Sequence, residues 1–311
     1  MPRPGVGRFL FMRVTVIINP ISGRQGGAET ARRRAILAQQ VLTSAGITHE
    51  VRITEYPGHA YLLAREAVAR EDSLVFAWGG DGTMNEVGRA LAFSNTTLGL
   101  IPAGSGNGLA RELHVSMEPE DALTTALRTP DRAIDVGEIN GHLFFNAAGV
   151  GFDAHVTWLF NTTPHGRRGM LSYVIIAARE LFRYRAPEYT VTVGGETISS
   201  RALLIAVTNS RQYGNGALIA PNARLDDGQL DMVVIQERSP LATLWAARRL
   251  FNGTLARAKG ITTKRVTQAT IRAHEPLRFH VDGEPVTETS TTLSLCLHPG
   301  ALRIRGGNLG V

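Results

Sequence analysis

Cysteine is almost absent. Cys296 stands alone in 311 residues, which excludes an internal disulfide framework and fits a reducing compartment. Long apolar runs are missing too: no stretch reaches the ~18 uncharged apolar residues of a membrane-spanning helix. Aromatic residues make up 6% of the chain, and no basic stripe alternates with them. That argues against nucleic acid as the partner of the net charge of +6. No Cys-x-x-Cys, His-Glu-x-x-His or Gly-x-Ser-x-Gly occurs, and His59, His114, His155 and His280 lack metal-ligand spacing. Hydrolase and zinc chemistry are therefore not expected. Residues 1–12 carry two arginines before a short apolar patch, too short for a signal peptide. Met12, just ahead of the first predicted strand, is a second candidate start.

What is present is enough for real cores. The apolar fraction is 43%, and the length suits one large or two ordinary domains. The arginine-rich positive excess leaves phosphate-bearing ligands and an anionic membrane surface as partners to consider.

The chain is organised around residues 74–86, LVFAWGGDGTMNE. The apolar run Leu74 to Trp78 predicts a buried strand. Gly79, Gly80 and Gly82 let the backbone turn sharply around Asp81. Thr83 and Glu86 have capping-box spacing, which predicts a helix starting at Thr83. A glycine turn beside a helix N-terminus is an anion site. A carboxylate within it implies a metal ion that bridges phosphates.

The rest of the first third alternates. Strands are predicted over 13–18, 47–54, 74–78 and 98–101, and helices over 28–45, from Pro57-Gly58 to about Arg70, over 83–93 and over 109–113. This pattern predicts a parallel sheet covered on both faces. Polar loops at 19–24, 79–83 and 102–107 all leave carboxyl ends of strands, where open parallel sheets bind ligands. From about residue 132 strands follow strands: 132–139, 142–148, 188–194, 198–207, 230–236, 261–272, 276–281 and 293–298, with helices near 169–183 and 239–252. A further strand at 301–305 can pair with either part. The expectation is an N-terminal α/β nucleotide-binding domain with a parallel sheet, then a C-terminal antiparallel β-sandwich-like domain, with a cleft between them. The boundary falls near Pro130.

Three further stretches carry chemistry. Gly104-Ser105-Gly106-Asn107-Gly108 lacks the glycine at 109 of a dinucleotide fingerprint, and no Lys-Ser/Thr pair makes it a Walker loop. With the other two loops it can enclose a phosphate chain. Leu225-Asp226-Asp227-Gly228-Gln229 is either a plain turn or an oxygen-rich site for Mg²⁺. Asp282-Gly283-Glu284 is either a hairpin turn or, in an extended segment, two carboxylates on one face that share proton-transfer work. Asp153 is either a helix N-terminal acid or a contact for a polar substrate head.

Together these residues resemble the diacylglycerol kinase catalytic-domain family, which includes bacterial soluble lipid kinases and the sphingosine and ceramide kinases. The resemblance rests on Asn19-Pro20-Ile21-Ser22-Gly23, Thr54 to Ala60, Gly79 to Glu86, Pro102 to Asn107, Asp226-Asp227-Gly228 and Asp282-Gly283-Glu284, in family order over nearly the whole chain. It implies an ATP-binding domain over 13–131, completed by 299–309, and a β-rich lipid domain over 132–298. It implies ATP bound by Asn19, Pro20, Ile21, Ser22, Gly23, Thr54, Gly79, Gly80, Asp81, Gly82, Thr83, Met84, Asn85, Ser105, Gly106 and Asn107. It assigns a structural Mg²⁺ to Asp227 with the backbone carbonyls of Arg224 and Gln229, and the catalytic Mg²⁺ to Asp81. Glu284 is the implied base, assisted by Asp282. Gly108 stands where many bacterial members and the eukaryotic diacylglycerol kinases carry Asp; Gly104-Ser105-Gly106-Asn107 is more similar to the sphingoid-base and ceramide kinases, and Asp153 lies near where sphingosine kinases place a substrate-binding aspartate. The activity implied is phosphorylation of a lipid hydroxyl, on diacylglycerol or a sphingoid- or ceramide-like lipid, by a cytoplasmic enzyme at the inner membrane face, attracted by anionic phospholipid. A homodimer is compatible with it. The alternatives are an NAD kinase, which shares the glycine–aspartate turn, and a non-catalytic lipid- or nucleotide-binding relative.

Overall fold

The structure is a computed structural model and describes residues 12–23, 26–162, 170–214 and 216–307. Residues 1–11, Arg24 of the first loop, Gly169 at the predicted start of the helix 169–183, and residues 308–309 of the expected terminal segment lie outside the described residues. The chain divides into two compact units, Met1–Ile134 with Gly300–Val311, and Asp135–Pro299.

In the first unit, β1 (Arg13–Ile18), β2 (Thr48–Ile53), β3 (Leu74–Gly79) and β4 (Thr97–Pro102) pair in parallel in the order β2-β1-β3-β4. Ile304 and Arg305, at the end of the chain's last strand, add in parallel beside β4. All six residues of β3 and of β4 are buried, so both read as continuous apolar runs rather than alternating ones. The helices are α1 (Ala28–Ser44), α2 (His59–Ala69), α3 (Asp81–Leu91), the short α4 (Gly108–Glu112) and α5 (Pro119–Arg128). Helix α5 was not predicted, although Pro119 at its first turn with Glu120 and Asp121 is a helix-start signature.

The capping box does not form. Helix α3 begins at Asp81, and its N-cap residue, Gly80, has no side chain to cap it. Thr83 Oγ1 instead accepts from Asn19 Nδ2 at 2.8 Å. Glu86 reaches the neighbouring helix, where its carboxylate accepts from the N–H groups of Gly58 (2.9 Å) and Ala60 (3.1 Å). Gly58, the N-cap of α2, has no side chain of its own to satisfy those donors. The tertiary partner outcompetes the local one because α2 and α3 pack side by side.

The second unit is antiparallel throughout. It contains β5 (Arg132–Ile139), β6 (His142–Phe144), β7 (Ala147–Gly151), β8 (Glu188–Val193), β9 (Glu196–Thr208), the ribbon β10 (Gln212–Gly214) and β11 (Ala217–Leu218), β12 (Leu230–Gln236), β13 (Ile261–Val266), β14 (Gln268–Leu277), β15 (Phe279–Val281), β16 (Glu284–Pro285) and β17 (Ser290–Arg305). Two sheets share the long strand β9. Its first half pairs with β8, and its second half pairs with β7 and β12. Inward-facing Phe144, Val150, Tyr189, Ile205, Leu230, Ile271, Phe279 and Leu293 build the sandwich core. The helices are α6 (Phe152–Thr162), α7 (Met170–Leu181) and α8 (Pro240–Ala247), and α8 runs on into a 3-10 turn over Arg248–Leu250. None of the described helices is long and apolar enough to cross a membrane.

Four expectations change here. The strand 142–148 breaks at 145–146, where backbone N–H groups turn to the Asp282 carboxylate. The strand 261–272 breaks at Thr267, whose carbonyl accepts from Leu297 N at 2.9 Å. The strands 293–298 and 301–305 are one, β17, which runs from the second unit into the first. Helix α6 was missed because its apolar residues merge with the run that precedes it. Replacing Glu86 with Ala removes two charge-assisted hydrogen bonds at the start of α2; the expected loss is about 1–2 kcal/mol in chemical denaturation. An unchanged midpoint would show that Glu86 does not cap α2.

Candidate functional site

The three loops of the first unit are knitted together by side chains. Asp81, at the first position of α3, accepts from the backbone N–H of Asn107 (2.8 Å) and of Gly108 (2.6 Å), so its carboxylate ties the turn after β3 to the loop after β4. Burial pushes the Asp81 carboxyl up, and the N–H groups of Gly108 and Asn107 pull it back in part. Gly80 and Gly104 meet at this junction: a Cβ on Gly104 would stand 2.6 Å from the Gly80 Cα. A Cβ on Gly80 would itself stand a tight 3.2 Å from the Gly104 Cα, so the backbones themselves form the wall. Asn107 adopts φ +52° and closes its loop reciprocally, its Nδ2 donating to Gly104 O (2.7 Å) and its Oδ1 accepting from Gly104 N (2.9 Å). Asparagine tolerates that left-handed backbone and supplies both bonds.

The first loop is held by a residue that the sequence reading did not single out. Arg34 of α1 donates to Asn19 O (2.9 Å), Ser22 Oγ (2.8 Å) and Ser22 O (2.9 Å), with its guanidinium 5.9 Å from the Trp78 ring. Burial pulls Arg34 below its usual range. Its signal was hidden within Arg32-Arg33-Arg34, where only helical phase tells the inward arginine from its neighbours. Pro20 O accepts from Gly27 N at 2.7 Å, and Ile21 is 73% exposed. Gly23 has a left-handed φ of +88°, and Gly79 and Gly82 flank the Gly80–Asp81 step. Thr54 is buried and donates its N–H to Ile18 O, while Met84 and Asn85 are buried in α3. Ser105 is exposed, and Gly106 O accepts from Arg111 Nε at 2.8 Å. Asn19, Ser22, Gly80, Asp81, Thr83, Gly104 and Asn107 are therefore joined into one hydrogen-bonded or touching set.

In the second unit, Asp282 and Gly283 form a two-residue hairpin turn with φ +48° and +82°, pairing Val281 with Glu284. The extended-segment argument that put Asp282 and Glu284 on one face therefore fails. Asp282 Oδ1 accepts from Asn146 N (2.8 Å) and Ala147 N (3.0 Å), and Oδ2 accepts from Phe145 N (3.0 Å). This carboxylate organises backbone. Glu284 is exposed on β16.

Asp153 is a first-turn acid of α6, buried at 4% exposure. Its carboxylate is not open to a substrate head: it accepts from the Tyr213 hydroxyl, from Ala154 N (2.8 Å) and from His280 Nε2 (3.1 Å). Burial and the adjacent Asp153 hold the Tyr213 phenol well above its usual range. Asp153, His280 and Tyr213 all lie over Gly149 of β7, where a Cβ would collide with each of them.

Asp227 departs from the expected cation geometry. Its Oδ2 is paired with the Arg265 guanidinium, and its Oδ1 accepts from Gln229 N at 3.2 Å. Arg224, Gln229 and Asp231 line the same hollow, with burial pushing the Asp231 carboxyl up. In this arrangement the Asp227 carboxylate is engaged by a guanidinium and a backbone N–H.

A parallel α/β unit with glycine loops locked by a buried carboxylate, followed by an antiparallel sandwich, is a two-part architecture with matches among known proteins. Residues 13–139 match the diacylglycerol kinase catalytic domain family, and residues 146–306 match the YegS C-terminal NAD kinase beta sandwich-like domain family. A Pseudomonas aeruginosa protein named "Probable lipid kinase YegS-like" is 32% identical over 91% of this chain and 92% of its own. The "Diacylglycerol kinase" of Bacillus subtilis is 29% identical over 88% of this chain and 89% of its own. In fold, a crystal structure of a diacylglycerol kinase from Bacillus anthracis superposes with a TM-score of 0.73 at 20% identity, covering 98% of this chain and all of that one. The chain belongs to the diacylglycerol kinase–YegS family.

Replacing Gly149 with Ala drives a methyl group into the Asp153–His280–Tyr213 cluster. The expected cost is about 1–3 kcal/mol in urea unfolding. A variant as stable as the parent would show that these side chains yield freely.

Proposed function

We propose that the protein is an ATP- and Mg²⁺-dependent lipid kinase that transfers the γ-phosphate to a hydroxyl of a membrane lipid, diacylglycerol or a sphingoid- or ceramide-like lipid. The observation that carries this reading is the Gly80–Asp81 helix start. It offers a helix start whose N-cap glycine carries no side chain, bare glycine backbone and one carboxylate in a single place. A triphosphate chain is bound by helix-start N–H groups, and Mg²⁺ supplies charge neutralisation for phosphoryl transfer. The Asp81 carboxylate accepts from the N–H groups of Gly108, Asn107 and Asp81 itself, and with about four acceptor directions it keeps capacity for a hard cation. The residues present therefore fit the metal. Asn19, Ser22, Thr83 and Ser105 contribute hydroxyl and amide groups around the phosphates. Glu284 takes the proton of the attacking hydroxyl, while Asp282, saturated by three N–H groups, holds the hairpin that carries it.

A membrane-resident substrate requires a surface that enters the interface. Helix α8 and the turn after it expose Leu241, Trp245 (57%) and Phe251, with the Arg248 and Arg249 guanidinium groups each 5.4 Å from the Trp245 ring. Helix α7 exposes Leu171, Val174 and Ile175. Apolar side chains edged by arginine suit peripheral binding to anionic phospholipid, from the cytoplasmic side.

Incubation with labelled ATP and total lipid extract is expected to give a labelled lipid, identified by mass spectrometry. Asp81→Asn sets an amide NH₂ against a backbone N–H and removes the metal ligand; the expected loss is at least about 100-fold. Glu284→Gln is expected to lower kcat by about 100-fold or more with little change in the KM for ATP. Phosphorylation of NAD but of no lipid would sink the proposal. The pH dependence follows from Asp81. Its raised pKa means that protonation begins at higher pH than for an ordinary carboxylate, and only the ionised form binds Mg²⁺. The KM for Mg-ATP is expected to rise as pH falls, starting from a higher pH than an ordinary carboxylate would give.

A further inference from the structure

Outside the residues given a role above, one cluster brings together three different ligand types. Glu138 on β5 and Cys296 and His298 on β17 place a carboxylate oxygen, a thiol sulfur and an imidazole nitrogen within 4.8 Å of one another. Cys296 and His298 are two apart on a strand, so their side chains share a face. β5 pairs with β17, which brings Glu138 to the same face. His298 Nε2 is the hub: it lies 2.7 Å from Glu138 Oε2 and 3.6 Å from Cys296 Sγ. All three are half-buried, which leaves an approach from solvent.

We propose that Glu138, Cys296 and His298 form a Zn²⁺ site with an open fourth position for water. The distances support this. With Zn–S of ~2.3 Å and Zn–N of ~2.05 Å, a tetrahedral ion sets sulfur and nitrogen about 3.6 Å apart, the separation found here. The same geometry sets nitrogen and carboxylate oxygen about 3.3 Å apart, so His298 and Glu138 must part slightly from 2.7 Å and exchange their hydrogen bond for bonds to the metal. The donor set selects the ion: thiolate and imidazole suit Zn²⁺, whereas Mg²⁺ and Ca²⁺ require oxygen ligands. Thiolate and carboxylate together neutralise the dication. The Cys296 S–H bond breaks as the S–Zn bond forms, and its proton leaves to solvent. Without a cation, burial and the neighbouring Glu138 hold the thiol protonated above its usual range.

The site is independent of the kinase reading and is tested without activity. Untagged full-length protein, freed of metal by chelation, is titrated with Co²⁺ and Zn²⁺. One equivalent of Co²⁺ is expected to give a thiolate-to-cobalt charge-transfer band and tetrahedral visible bands, which one equivalent of Zn²⁺ abolishes. Cys296→Ser is expected to lose the charge-transfer band, and His298→Ala to weaken Zn²⁺ at least about tenfold. Zn²⁺ is expected to raise the melting temperature of the parent protein and not of Cys296→Ser. Absence of the charge-transfer band in the parent protein overturns the proposal, as does equal Zn²⁺ affinity in the parent and both variants. The spectrum of the parent protein decides the matter even if a variant fails to fold.

Discussion

The interaction on which the first unit depends is the bond pair from the Asp81 carboxylate to the N–H groups of Asn107 and Gly108. It draws the loop after β4 onto the start of α3. That approach is why Gly104 must be glycine, since its side-chain direction points at the Gly80 backbone. It also accounts for the left-handed Asn107, which closes the loop on itself once its N–H is committed to Asp81. Arg34 gathers the first loop through Asn19 and Ser22, and Asn19 passes the constraint to Thr83. A dehydrated carboxylate is costly unless donors surround it. The glycine loops provide those donors, and Gly80 at the N-cap sets no side chain over the helix start.

The second unit repeats the device with another carboxylate. Asp282 collects the N–H groups of Phe145, Asn146 and Ala147, the point where one predicted strand becomes β6 and β7. Its own N–H returns to Ala147 O at 2.8 Å. The Asp-Gly turn is therefore fixed at both ends, and β15 is held against β7. Two residues before Asp282, His280 meets Asp153 and Tyr213 over Gly149. In both units an acid that looks catalytic in the sequence is also a backbone organiser, and its donors limit what else it can bind. Asp227 is engaged in turn by Arg265.

Much of the architecture was legible. Parallel α/β organisation followed from buried apolar runs alternating with helical segments, and the antiparallel sandwich from strands following strands. Asp81 and the three loops were marked by glycine and polar residues at carboxyl ends of strands. Glu86 was legible as a cap but was assigned to the wrong helix, because sequence spacing sees only the local donor and not Gly58 twenty-eight positions away. Arg34 was hidden among equal neighbours. The proposed zinc site has no short-spacing metal motif by which a sequence could reveal it. Cys296 and His298 are close in sequence, but Glu138 lies on another strand.

The sequence by itself determined the two-part organisation, the glycine turns and the residue types able to handle phosphate and metal. These depend on local quantities: hydrophobic period, backbone freedom at glycine, and the chemistry of single side chains. Only the tertiary structure decided which donors each acid meets. It gave Asp81 two backbone amides, Asp282 three, and Asp153 a tyrosine, a histidine and the next amide; Asp227 received an arginine. The physical reason is that a carboxylate's role is set by the hydrogen bonds and charges within a few ångströms of it. In a folded chain those neighbours come from strands and helices that the linear order keeps far apart.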